Sequence, residues 1–168
     1  SMNAGLSVLC RCTVFIPGSI RLSEGLYYGY RHFDKERIAP AFCFGHGLSY
    51  TRFAYSGLSL KQEKEGSESV KVSFTVKNTG KRAGAEVVQV YVSPVAPKVD
   101  RPAKELKTFA KVSLLPGKSQ KVTLTLTKRD FAYFDVDIHS FAADPGDYEI
   151  LAGASSEDIR LRGICTLL

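Results

Sequence analysis

Tryptophan is absent from this 168-residue sequence, so no indole can serve as the buried centrepiece of a core. Asparagine occurs only at Asn3 and Asn78, and neither opens an Asn-x-Ser/Thr sequon, so no glycosylation signal marks a compartment. The four cysteines, Cys10, Cys12, Cys43 and Cys165, show neither repeated Cys-x-x-Cys spacing nor the density of a disulfide scaffold. They read as buried or incidental thiols. No run of about 18 apolar residues is present, which removes a membrane-spanning helix from the expectations. Helix-period segments are missing as well, and that absence shapes the fold reading most.

What remains is ordinary for a packed domain: 44% hydrophobic and 24% charged residues, with a formal charge of +6. A basic excess raises the question of nucleic acid or an anionic membrane surface, and its distribution argues against both. Residues 98–129 hold nine basic side chains against Asp100 and Glu105, whereas residues 130–158 hold eight carboxylates and neither Lys nor Arg. Two such stretches can neighbour and offset each other in a fold, so neither nucleic acid nor a membrane is expected as a partner.

Ser1-Met2 looks like a vector-derived scar, and the apolar stretch from Ala4 to Ile16 is broken by Arg11 and lacks the basic lead-in of a signal peptide. Residues 1–20 are therefore set apart as a vector-derived or atypical N-terminal segment. Pro17-Gly18-Ser19 reads as a break, and residues 21–47, rich in tyrosine and charge at their start, read as a linking arm.

From Val70 the sequence alternates with a period of two. Val70, Val72, Phe74 and Val76 share one face, and Asn78-Thr79-Gly80 closes the run with residues suited to a turn with positive φ. Val87–Val92 is nearly continuous β-branched and aromatic sequence, the signature of a central strand covered on both sides. Leu106, Ala110, Val112 and Leu114 are placed on one face of a strand, and Val122, Leu124 and Leu126 on the face of the next. Pro116-Gly117 between them reads as a hairpin turn. Residues 53–60, 131–136, 148–152 and 159–164 complete eight predicted strands, punctuated by Pro145-Gly146 and Ser155-Ser156. The prediction is an all-β antiparallel sandwich over residues 48–168, without the indole or inter-sheet disulfide of antibody-type domains.

Chemistry-bearing residues are sparse. Asp130, Asp135 and Asp137 invite a calcium reading, but their spacing matches no calcium loop, and solvent-facing carboxylates are the better assignment. His32, His46 and His139 are never paired at i,i+4 around a general base. Gly45-His46-Gly47 lacks the final glycine of a dinucleotide fingerprint, because Tyr50 stands there, and reads as a tight turn. No Gly-x-Ser-x-Gly elbow occurs. Tyr27, Tyr28, Tyr30 and Phe33 could form a sugar-stacking platform, but read better as interdomain packing, docking the arm on a neighbouring domain. No catalytic, cofactor-binding or metal-binding residue is assigned, and no cofactor is expected.

Three ordered stretches carry a family resemblance. The first is Glu24-Gly-Leu-Tyr-Tyr-Gly-Tyr-Arg-His-Phe-Asp34 followed by Phe44-Gly-His-Gly-Leu-Ser-Tyr-Thr51; the second is Asn78-Thr-Gly followed by Gly84-Ala-Glu-Val-Val-Gln-Val-Tyr-Val92. The third runs Arg101-Pro-Ala-Lys-Glu-Leu-Lys-Thr-Phe109, Leu115-Pro-Gly117, Pro145-Gly-Asp-Tyr-Glu-Ile-Leu151 and Gly153-Ala-Ser-Ser156. Together they resemble the C-terminal region of glycoside hydrolase family 3 enzymes, the β-glucosidases and β-xylosidases. Cys43, where a proline or another residue is expected, and Phe141, often tryptophan in the family, depart from the pattern.

The resemblance implies a fibronectin type III-like sandwich, joined by the arm to an α/β domain. It also implies a retaining glycosidase whose Asp nucleophile and acid/base residue both lie upstream, so no catalytic residue carries over. The implied role is a non-catalytic accessory domain that stabilises or positions those catalytic domains, its partners. An independent glycan- or protein-binding module is the alternative, and a glycan contact has no support in the sequence itself. Without the upstream partner, residues 1–40 are expected to lack the conformation they would have in a complete enzyme and to leave an apolar patch uncovered.

Overall fold

The computed structural model describes residues 14–16, 19–21, 25–47, 49–62 and 69–167. Cys10, Cys12 and most of the N-terminal segment lie outside them. The described chain is an antiparallel β-sandwich preceded by a small hairpin, β1 (Val14–Ile16) and β2 (Ser19–Arg21), and one short helix, α1 (Tyr30–Glu36). The sandwich strands are β3 (Phe53–Gln62), β4 (Ser69–Asn78), β5 (Gly84–Pro94), β6 (Glu105–Leu114) and β7 (Ser119–Thr127). A single helical turn, α2 (Lys128–Phe131), leads to β8 (Tyr133–Asp135), β9 (Ser140–Ala142), β10 (Gly146–Gly153) and β11 (Ile159–Leu167). One sheet has the order β11-β10-β5-β6 and faces a second of order β3-β4-β7, while β8 and β9 form a separate hairpin. No helix among the described residues is long and apolar enough to cross a membrane.

The period-two pattern of β4 works as read: Val70, Val72, Phe74 and Val76 are all buried. They face Val88, Val90, Val92, Tyr148 and Ile150 of the opposite sheet in one core, with Phe74 stacked on Tyr55 at 5.8 Å. In β3 a bulge at Gly57 (φ 67°) sets two residues against one on β4. That shift lets Leu58 and Leu60 pack on the core although Tyr55, before the bulge, is of opposite parity.

Three sequence expectations are corrected and a fourth stands. Pro116-Gly117 is not a hairpin, because β6 pairs with β5 and β7 pairs with β4, so this turn carries the chain from one sheet to the other. Its turn chemistry is nonetheless as the sequence suggests: Lys118 N donates to Leu115 O at 3.1 Å, with Gly117 at φ 72°. Leu106 does not share a face with Ala110, Val112 and Leu114. A register shift places Thr108 opposite Val90 and Leu106 opposite Tyr91, which turns Leu106 to the outer side of the sheet. Phe131 ends α2 rather than opening a strand, since the Asp130 carboxylate accepts from both Thr127 N (2.7 Å) and Thr127 Oγ1 (2.9 Å) and winds one turn there. The stop at Asn78-Thr79-Gly80 stands, although Asn78 itself has no positive φ. It closes β4 with a fully buried side chain.

That side chain links four segments. Asn78 Nδ2 donates to Leu114 O (3.0 Å) and Arg82 O (2.8 Å), and its Oδ1 accepts from Thr51 Oγ1 (2.7 Å) and Gly80 N (3.0 Å). A buried amide so fully satisfied costs little, whereas each partner left alone in the core would cost about 1–3 kcal/mol. At the opposite margin the sheets are joined by Arg160 Nη1 donating to Phe53 O (2.8 Å) and Gln62 Nε2 donating to Thr166 O (3.2 Å). Gly163 of β11 sits there against Leu58 and Leu60, where a Cβ would come within 3.0 Å of both.

Phe74→Ala is expected to lower stability in chemical denaturation by about 3–5 kcal/mol, the cost of emptying a closed aromatic site. Asn78→Ala is expected to cost a comparable amount although it removes no apolar surface, through the partners it strands. A loss under about 1 kcal/mol in either variant would contradict this packing.

Candidate functional site

Strand β5 needs cover on both faces. Val88, Val90 and Val92 enter the sandwich core, while Gln89 and Tyr91, 4% and 0% exposed, point to the outer side. The arm covers them. Tyr30 of α1 meets Tyr91 edge-on at 6.3 Å, stacks on Phe44 at 4.6 Å, and accepts a hydrogen bond from Leu106 N at 3.0 Å through its hydroxyl. The outward turn of Leu106 thus meets the arm.

Gln89 clips the far end of the arm. Its Nε2 donates to Gly45 O (3.2 Å) and Ala154 O (2.9 Å), and its Oε1 accepts from Tyr91 Oη (2.5 Å). Gly45 takes φ 78° in the turn Cys43–His46, closed by His46 N donating to Cys43 O at 3.0 Å, so the tight turn expected at Gly45-His46-Gly47 lies two residues earlier. A side chain on Gly45 would run into the Gln89 amide. Ser156 N donates to Phe44 O (2.9 Å) and the Cys43 thiol to Ser155 Oγ (3.3 Å), tying the same turn to the β10–β11 connection.

Ion pairs complete the seam: Arg31 with Glu105 (2.8 Å), Lys35 with Asp100 (3.3 Å), and Lys104 with Asp34 (3.1 Å) and Glu157 (3.5 Å). Tyr27 donates to Asp100 while the Lys35 ammonium lies over its ring, 3.4 Å from the centroid. Residues 25–47 are therefore folded against the sandwich itself. Among the arm aromatics considered from sequence, Tyr30 is an internal packing residue and Tyr28 stays 75% exposed.

The carboxylates considered for calcium are not brought together as a ligand set. Asp130 caps α2, and Asp135 Oδ1 accepts from Asp137 N at 2.9 Å within the β8–β9 turn. No group of three or more potential metal ligands occurs among the described residues. His32 lies against Phe33, His46 near Phe42, and His139 holds φ 49° in the β8–β9 turn, so the three stay apart.

Two features escaped the sequence reading. Arg101 is buried and donates through both terminal nitrogens to Phe131 O at 3.2 Å, with its guanidinium 5.0 Å from the Tyr133 ring centroid. Gln89 could have been found, because a lone amide inside an apolar run calls for polar partners on one of its faces.

Two surfaces stand out. The β8–β9 hairpin exposes Phe134, Val136, Ile138 and Phe141 by half or more, with Phe134 edge-on to Phe141 at 5.6 Å. A groove of about 720 Å³ lies between the arm and the β5–β6 connection, lined by Asp34, Phe42, Lys104 and Glu157 among others.

A family model described as a fibronectin type III-like domain matches residues 86–156. "Thermostable beta-glucosidase B" of Acetivibrio thermocellus is 49% identical over 144 residues, covering 85% of this chain and 19% of the relative. Residues 86–156 of this chain thus belong to a fibronectin type III-like domain. The solved family 3 β-glucosidase of Bifidobacterium adolescentis superposes with a TM-score of 0.84 at 39% identity, covering 90% of this chain and 23% of that one. β-Glucosidase 3B of Thermotoga neapolitana, solved with α-D-glucose, gives a TM-score of 0.79 at 41% identity, covering 86% of this chain and 20% of that one. This chain thus spans about a fifth of the length of the relatives it matches. In this fibronectin type III-like domain the carboxylates serve mainly the seam between arm and sandwich and the caps of turns.

Two of those carboxyls are shifted in opposite directions. Burial raises Asp34 above the ordinary aspartate value, opposed by Lys104 and reinforced by the nearby Glu157, whereas hydrogen bonding from Arg160 lowers Asp158. Carbon-detected NMR titration of the side-chain carboxyls should place Asp34 above and Asp158 below an unstructured aspartate. By linkage, the stability Asp158 contributes is complete above its unfolded pKa and disappears as pH falls through its lower folded pKa. Asp34 acts with opposite sign, its unfavourable contribution easing as pH falls through its raised folded value. Identical midpoints for the two groups would contradict both environments.

Proposed function

We propose that this chain is the non-catalytic accessory part of a family 3 β-glycosidase, with residues 48–168 as the domain, 21–47 as the arm linking it to an α/β domain, and 1–20 as a vector-derived or atypical N-terminal segment. Its role is to stabilise or position catalytic domains that cleave β-glucosides or β-xylosides. The observation that carries this reading is the β8–β9 hairpin. Four large apolar side chains more than half exposed within residues 133–142 form a surface suited to contact with another protein part. The short span of the chain relative to its family 3 relatives supports the same reading.

The chemistry of the described residues agrees. Retaining hydrolysis requires two carboxyl groups about 5–5.5 Å apart across a sugar, one free to attack the anomeric carbon. Asp34 and Glu157 are both held by the Lys104 ammonium, and Asp158 and Glu86 lie around the Arg160 guanidinium. Asp34, with a side chain only 8% exposed, is engaged by that ammonium rather than free to attack.

The chain alone is therefore expected to release no nitrophenol from aryl β-glucosides or β-xylosides, and to raise the thermal midpoint of a polypeptide carrying the catalytic domains when the two are mixed. Replacing Phe134 and Phe141 with serine should abolish that rise while leaving the fold of the chain intact. Turnover by the chain alone, lost on Glu157→Gln, would overturn the reading. So would a catalytic polypeptide whose stability and activity ignore the added chain.

A further inference from the structure

Arg31, Lys35 and Lys104 of the seam, and Arg160 and Arg162 of β11, each have an acid beside them. One end of the sandwich is different. Lys77, Lys81, Arg82, Lys118 and Lys121 are all exposed there, and none of these side chains has an ion pair or a hydrogen bond among the described residues.

Asn78 is the reason they gather. The connections after β4 and after β6 both cross between the sheets, and this residue holds them side by side. Its Nδ2 donates to Arg82 O (2.8 Å), its backbone N donates to Lys118 O (2.9 Å), and its O accepts from Gly117 N (2.9 Å). Residues 77–85 and 113–121 contain neither Asp nor Glu. Glu63, Glu65 and Glu68 belong to the connection between Gln62 and Ser69, which joins the other ends of β3 and β4. Lys77 and Lys121 stand diagonally on adjacent strands, because Lys77 is opposite Ser119 and Lys121 is opposite Thr75. Such positions lie about 7–8 Å apart, close to the screening length of physiological salt, so an anion between the two charges relieves their repulsion.

The outer face of β3, β4 and β7 continues this surface. Apart from the bulge at Gly57, every outward residue on it is Ser, Thr, Lys or Ala, so the face carries hydroxyls and ammonium groups but neither a carboxylate nor a ring. Ser73 Oγ and Thr123 Oγ1 share a hydrogen bond of 3.1 Å across it.

These features select among anionic partners. Protein interfaces are built around aromatic side chains and are poor in Lys and Ser, the reverse of this face. Single-stranded nucleic acid is held by stacking its bases on aromatic rings, and a lipid surface would touch the turns and leave the sheet unused. A chain of carboxylate-bearing sugars uses the whole surface, with carboxylates on the lysines and hydroxyls exchanging hydrogen bonds with Ser and Thr.

We propose that this end of the sandwich and the outer face of β4 and β7 bind an acidic polysaccharide, with carboxylates at Lys77, Lys118 and Lys121 and ring hydroxyls at Thr75 and Thr123. Lys81 and Arg82 extend the positive field beyond the sheet and draw the polymer in. The proposal needs only this chain, so its outcome is separate from that of the accessory role.

The test is an amide NMR titration of the intact chain with oligogalacturonic acid. Saturable shifts are expected at residues 73–82 and 117–125, with affinity falling several-fold between about 50 and about 200 mM salt. The double variant Lys77→Glu, Lys121→Glu is expected to weaken binding about tenfold or more, and Lys118→Glu several-fold. The same reversal at Lys111, exposed on the outer face of the other sheet, should leave binding unchanged. Equal weakening by Lys111→Glu would mean that binding follows net charge alone, and would overturn the proposal. Absence of saturable shifts, shifts located elsewhere, or an equal response to uncharged maltohexaose would overturn it as well. Tighter binding to duplex DNA or to phosphatidylserine vesicles than to oligogalacturonic acid would assign the surface to those partners instead, with the same consequence. If the double variant unfolds, Lys118→Glu, in the turn after β6, decides.

Discussion

The outer face of β5 is the constraint on which the functional half of this molecule depends. A strand whose two faces are both apolar or amide-bearing cannot leave either in water, and the second sheet covers only one. Covering Gln89 and Tyr91 therefore requires another segment, and the segment available is the arm. Once Tyr30 lies on Tyr91 and Gly45 is held by Gln89, the positions of α1, the turn at Arg37 and the groove beside it follow. The ion pairs of the seam add direction more than stability, since most of them remain partly in solvent.

Much of this was legible in the sequence. The alternation of Val70, Val72, Phe74 and Val76 needs only the geometry of a strand to be read, and the double cover of Val87–Val92 is written in its composition, although Val87 itself stays 40% exposed at the margin. Partner choice was not legible. Pro116-Gly117 specifies a turn but not which sheet the next strand joins, because local torsion angles are the same in a hairpin and in a crossing between sheets. Leu106 was misplaced for a related reason: a bulge reverses parity, and nothing in Glu105–Thr108 announces it. Nor could the arm be placed. Its tyrosines suggest packing, but the surface that receives them is assembled from strands far apart in sequence.

Asn78 shows how one polar residue can decide topology that apolar pattern leaves open. Sandwich cores tolerate many arrangements of similar volume, and apolar contacts are non-directional. An amide with two donors and one acceptor in fixed positions is directional, and its bonds to Leu114 and Gly80 hold the end of β6 and the turn after β4 beside each other. The crossing of the chain from β6 to β7 is anchored at that point, where Gly117 N also donates to Asn78 O at 2.9 Å.

The arm and the sandwich differ in how they would carry a mechanical load. Tension applied at residue 25 and at the end of β11 meets Tyr27 and Asp100 first, then the Tyr30 ring, then Arg31 with Glu105, each a separate attachment along the outer face. Such contacts yield one after another, as tape peels. The ladders joining β5 to β6 and β10 share the same load among many bonds each, and so outlast the single attachments of the arm. The seam is thus a fuse: a domain moving relative to its neighbours in a larger chain could lift the arm and reseat it without opening the sandwich core.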